Sequence, residues 1–213
     1  MYKEFIFFLI IFIVIYFIYV YDNRINWRAY DNNIYTIMDS KNSTINSQKA
    51  NLLADINKKA QNVVEIMHKN NIPNEKIAKK TRKRFHKKFK IKETPKGEES
   101  GAAYTINKAG QGGEMSVCLM TKGKLNNLND TFYVILHELA HVMSDSFGHG
   151  EEFKKNFNFI VALAVKNKLW VDPKYEKRNI DYCGVKVTNS PCSGKKCDKN
   201  TLDYFYKESL LDY

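Results

Sequence analysis

Apolar and polar positions alternate in a readable way over several stretches of the chain, and those stretches predict its main elements. Between residues 48 and 70, Leu52, Leu53, Ile56, Ala60, Val63, Val64 and Met67 recur at the spacing of one helix face, and Pro73 ends the pattern. A second amphipathic helix is predicted over residues 74–89, with Ile77, Ala78, Phe85 and Phe89 on one stripe. A glycine-rich passage, "PKGEESGAAYTINKAGQGG", then provides turns around one or two short strands, and "EMSVCLMT" from Glu114 to Thr121 suits a further strand. Asn129 or Asp130 stands where it can cap the next helix. The last helix is predicted from Glu151 to Leu169. Its buried stripe is Phe153, Phe157, Ile160, Val161 and Ala164, and Glu151 and Glu152 suit its positive N-terminal end.

One apolar stretch has no period. "FIFFLIIFIVIYFIYVY", Phe5 to Tyr21, runs seventeen residues without a charge and is apolar on every face. That is the short end of the roughly 17 to 25 residues that cross a hydrocarbon core as a helix. Tyr16, Tyr19 and Tyr21 gather at one end as interfacial aromatics do, and no small-residue cleavage site follows. The expectation is a transmembrane anchor over residues 1–21, which makes the chain a single-pass membrane protein of a host or virion membrane. Lys3 on one side, against Arg24 and Arg28 on the other, does not orient it. Residues 22–47, rich in Asn, Asp, Ser and Tyr, are expected to be a linker.

Charge changes the picture locally. The formal net charge is +11, and most of it sits between Lys76 and Lys92, where ten Lys or Arg occur without an acid. Such a run offers a surface for DNA or anionic lipid, or else it is a solvated helix face. It lacks the interleaved aromatics of a base-stacking platform.

The chemistry concentrates in "HELAHVMSDSFGHG", which holds three of the chain's five histidines. On a helix, residues four apart lie one above the other, so His137 and His141 share a face, while Phe132, Ile135, Leu136, Leu139, Val142 and Met143 fall on the opposite one. Two imidazoles so placed can reach a single Zn2+ ion, and Glu138 sits beside them, placed to take a proton from a water that the metal has acidified. This is the H-E-x-x-H arrangement. A catalytic site needs a third protein ligand. His149 answers best, with Gly148 letting the chain turn back, while Asp145 and Glu152 are the competing carboxylates.

The lead "FYVILHELAH", the strand before it and "GHGEEFKKNF" after it resemble the WLM and SprT-like zinc metallopeptidases, over Glu114 to about Trp170. The metzincin pattern fails, since its glycine and third histidine would fall at Ser144 and Phe147. The resemblance implies that His137, His141 and His149 hold zinc and that Glu138 is the catalytic acid and base. It also implies that "MSVCLM" is the edge strand along which an extended peptide substrate lies. Together with the abundance of Asn, Lys, Ile, Tyr and Phe, it suggests a large DNA virus as the source.

Cys183, Cys192 and Cys197 lie near the C-terminus and Cys118 lies in the predicted strand; an even count tips the choice between reduced thiols and disulfides toward disulfides. The expected whole is an α+β chain. A membrane anchor and linker lead into a minimal zincin-like metallopeptidase domain over residues 48–182, followed by a cysteine-containing segment over 183–213. The alternative is a non-catalytic zinc-containing membrane or virion protein whose basic helix binds nucleic acid or anionic lipid.

Overall fold

In the computed structural model, residues 2–21, 23–85, 89–95, 102–106 and 113–193 are described. The described elements are α1 (Tyr2–Tyr21), β1 (Arg24–Arg28), β2 (Ile34–Met38), α2 (Ser43–Asn70), α3 (Glu75–Arg84), β3 (Lys90–Glu93), β4 (Ala103–Ile106), β5 (Glu114–Val117), β6 (Met120–Thr121), β7 (Lys124–Leu125), α4 (Leu128–Met143), α5 (Glu151–Lys166), β8 (Ile180–Tyr182) and β9 (Val185–Val187). The fold is α+β: α3 and α4 pack on α2, α5 packs on α4, and small sheets lie beside them.

Two expectations about the N-terminal part are corrected. Residues 2–21 do form a helix, but among the described residues no helix is long and apolar enough to cross a membrane. Tyr2, Lys3 and Glu4 take up the first turn of α1, and the seventeen uncharged residues that follow rise only about 25 Å, against a hydrocarbon core of about 30 Å. The anchor, and the single-pass membrane placement that rested on it, are withdrawn.

The expected linker is instead structured. β1 and β2 pair antiparallel, with Trp27 opposite Tyr35 and Ile25 opposite Ile37. Tyr35 and Ile37 are buried in the main core and Met38 is buried as well, so the hairpin is part of the domain. Its turn is held by Asp31, whose carboxylate accepts from the backbone N–H of Asn33 and from the Tyr35 hydroxyl. α2 then begins at Ser43, ahead of the predicted residue 48, because the side chain of Asn42 caps it by accepting from the N–H groups of Thr44 and Ile45.

A buried ion pair locks hairpin, helix and sheet together. Lys49 of α2 meets Glu93 of β3 at 2.9 Å, with each side chain only 5% exposed. The second carboxylate oxygen of Glu93 accepts from the N–H of Met38 at 2.7 Å, and Lys49 donates to the Met38 carbonyl at 2.9 Å. Every charged atom of the pair thus faces a partner, as burial of charge requires.

The three-stranded sheet has the order β3-β5-β4, with β5 parallel to β3 and antiparallel to β4. This corrects the edge strand: "MSV" lies in the centre of the sheet, and among the described residues the edge strand next to α4 is β4. The helix boundaries also move. α3 stops at Arg84, where residue 89 was expected, and α4 is capped by Asn127, whose side chain accepts from the Asp130 N–H. Asp130 turns inward to accept from the buried Tyr175 hydroxyl.

Cys118, just after β5, is disulfide-bonded to Cys183 in the turn between β8 and β9. Cys183 and Gly184 both have positive φ there, the backbone a tight hairpin turn demands. Closing a loop across a sequence separation of 65 typically contributes about 2 to 4 kcal/mol. Cys192 is also disulfide-bonded. Cys197 and the rest of the C-terminal segment from 194, together with most of the glycine-rich passage, lie outside the described residues.

Candidate metal centre

α4 carries the site because its back face is committed to the core. Phe132, Ile135, Leu136, Leu139, Val142 and Met143 are all fully buried, which turns His137 and His141 toward the junction with α5. The chain leaves α4 at Ser144, crosses a short loop, and returns as α5 from Glu151. His149 lies at the end of that loop, after Gly148, whose φ of +80° most residues would resist. The three imidazoles converge: each offers a nitrogen, and these nitrogens all lie within 4.8 Å of one another. Nε2 of His149 is 2.9 Å from Nε2 of His137.

Those distances suit a common ion. Two nitrogens about 2.0 to 2.1 Å from a tetrahedral zinc stand roughly 3.3 Å apart. Burial, with help from the neighbouring imidazoles, pushes His137 down to about 4, and burial and His149 do the same for His141. Both rings are therefore neutral at pH 7, the form that has a lone pair to give to a metal. Phe153, in the first turn of α5, packs against all three rings, with centroid separations of 4.7, 4.3 and 4.6 Å to His137, His141 and His149. Its buried ring restricts the rotamers of all three imidazoles at once.

The carboxylates that competed for the third position are engaged elsewhere. Asp145 accepts from Lys80 and Arg84 of α3. Glu152 accepts from the N–H groups of Asp145 and Ser146 and from the Ser146 hydroxyl. Glu138 is also outside the nitrogen cluster; it is 4% exposed, and its Oε2 accepts from the Thr105 hydroxyl of β4 at 2.7 Å. Burial pushes its carboxyl up to about 7, while the Thr105 hydrogen bond pulls the other way. Removing that donor leaves the upward push unopposed. If Glu138 must be ionised to act, Thr105→Val is expected to move the acidic limb of a pH–rate profile to higher pH. An unmoved limb in a matched wild-type and variant titration would contradict this.

Thr105 was not anticipated from the sequence. It lies in the glycine-rich passage, and nothing local marks one threonine there as facing a helix 33 residues later. The basic run, in contrast, divides on inspection. Lys79 pairs with Glu75, Arg82 with Glu65, Lys92 with Glu114, and Lys80 and Arg84 with Asp145, so five of its ten cations face acids, while Lys87 and Lys88 lie outside the described residues. A separate cleft of about 880 Å³ lies between β2, α2 and β3, and none of the three histidines lines it.

Fold and site together define an α+β protein with a three-imidazole cluster that could hold a metal ion. No family model matches the chain, and no solved structure matches it. It is similar to an uncharacterized protein of Acanthamoeba polyphaga mimivirus, 34% identical over 86 residues, which are 39% of this chain and 44% of that protein. The match thus spans less than half the length of that relative.

Proposed function

We propose that the chain is a zinc-dependent peptidase, in which His137, His141 and His149 hold the ion and Glu138 moves the proton. The observation that carries this reading is the convergence of three imidazole nitrogens, with the buried carboxylate of Glu138 next to His137 along α4 and outside the nitrogen cluster. When bound, zinc acts as a Lewis acid, polarising a carbonyl and lowering the pKa of a water to about 7. Glu138 accepts the proton of the attacking water and delivers it to the departing amine nitrogen as the peptide bond breaks. Thr105 holds one oxygen of that carboxylate, leaving the other to exchange the proton. Burial makes this carboxylate a stronger proton acceptor than an exposed glutamate.

The substrate is an extended polypeptide lying along the edge strand β4, where main-chain hydrogen bonds add a strand to the sheet. Thr105 belongs to that strand, so the same element that orients Glu138 borders the substrate. Purified full-length chain is expected to contain one zinc and to cleave casein, to lose cleavage in 1,10-phenanthroline, and to regain it on adding zinc. A chain that takes up no metal would sink the proposal. One that binds zinc but cleaves nothing in a broad peptide panel would reduce the centre to a non-catalytic one.

A further inference from the structure

The cations of α3 are of two kinds. Lys79 and Arg82 keep 63% and 48% of their side chains exposed and pair with acids of the surface. Lys80 and Arg84, one turn apart on the inner side, keep only 21% and 30%. Arg84 Nη1 donates to the carbonyls of Val142 at 2.9 Å and Ser144 at 2.7 Å, and its Nη2 donates to Asp145 Oδ1 at 2.6 Å. Lys80 donates to the other oxygen, Oδ2, at 2.8 Å. α3 itself is seated by the buried Ile77, Ala78 and Thr81, so these two cations are held by a fixed support.

We propose that Arg84 and Lys80 are positioning residues for the third metal ligand, clamping the end of α4 and the start of the loop that delivers His149. The proposal rests on the assignment of the three histidines as ligands. His137 and His141 need no such help, because α4 places them. His149 does. Phe147, at 103% exposure, contributes no packing to the loop, and Gly148 adds backbone freedom. The loop is held where it leaves α4: α3 grips residues 142–145, and Glu152 of α5 accepts from the N–H groups of Asp145 and Ser146, so both supports meet at Asp145, while farther along the His149 ring packs against Phe153. The guanidinium fork is the group that can satisfy two terminal helix carbonyls and a carboxylate together, and a cation is favoured at that end of the helix dipole. Without the clamp, ordering His149 becomes part of the cost of binding the ion, and affinity falls.

The test is zinc affinity of the full-length chain, measured by competition with a chromophoric chelator, together with the visible spectrum of the Co2+-loaded form, which reports coordination. Arg84→Ala and Asp145→Asn are each expected to weaken zinc binding by roughly tenfold or more and to change the Co2+ bands, with circular dichroism and thermal midpoint near wild type. The double variant is expected to be no weaker than the worse single one, since both cut the same clamp. Arg84→Lys should recover part of the affinity. Should Arg84→Ala fail to fold, Asp145→Asn decides alone, because it keeps the two carbonyl contacts of Arg84. Unchanged affinity and spectra in the folded variants, or strictly additive losses, would overturn the clamp. A wild-type chain that binds no zinc would instead remove the metal assignment beneath it.

Discussion

Glu138→Gln is expected to leave one zinc bound per chain and the fold unchanged, while lowering peptide hydrolysis by about 10² to 10⁴. The amide has nearly the shape of the carboxylate, and its oxygen can still accept from the Thr105 hydroxyl, so the buried side chain keeps its partner. The three imidazoles are untouched. What is lost is the ability to accept a proton from the attacking water, which no neighbouring group replaces, because Asp145 and Glu152 are held in the loop network. Turnover of a casein-derived peptide at matched zinc content measures the effect. Equal rates in the two proteins would mean that Glu138 is not the base.

A stability effect of similar size is expected at the other end of the domain. Glu93→Ala would strand Lys49 in the core with only the Met38 carbonyl for company, and would free the Met38 N–H as well. Breaking a buried pair from one side typically costs about 3 to 5 kcal/mol, since the remaining charge is uncompensated. Urea unfolding at pH 7 should show the midpoint falling accordingly. Replacing both partners, Lys49→Met with Glu93→Leu, should recover much of the loss, because neither charge is then buried. A single variant as stable as wild type would show that the pair contributes little.

What could be read from the chain follows from how local each signal is. α2, α4 and α5 carry their apolar stripes within their own segments, and the shared face of His137 and His141 is set by helix geometry alone. His149 was legible as the third member of the cluster because the loop is short. The hairpin was missed because each strand has five residues, and the surrounding Asn and Asp, which hold its turn through Asp31, look like linker composition. The place of "MSV" in the centre of the sheet depends on β3 and β4 pairing with it from both sides, which no run of residues encodes. Arg84 looked like one more member of a cationic run; only its distance to two carbonyls 58 and 60 residues away distinguishes it. Phe5 to Tyr21 shows the reverse error, where an uncharged run at the short limit of length, with tyrosines at one end, was taken for a membrane span.

The bond between Cys118 and Cys183 brackets every residue of the candidate centre, from His137 to His149. A backbone cut in the exposed loop around Phe147 would therefore leave two fragments still joined covalently. Such a nicked molecule would migrate as one species on a non-reducing gel and as two after dithiothreitol. Damage at the loop would break up the histidine cluster without releasing either half.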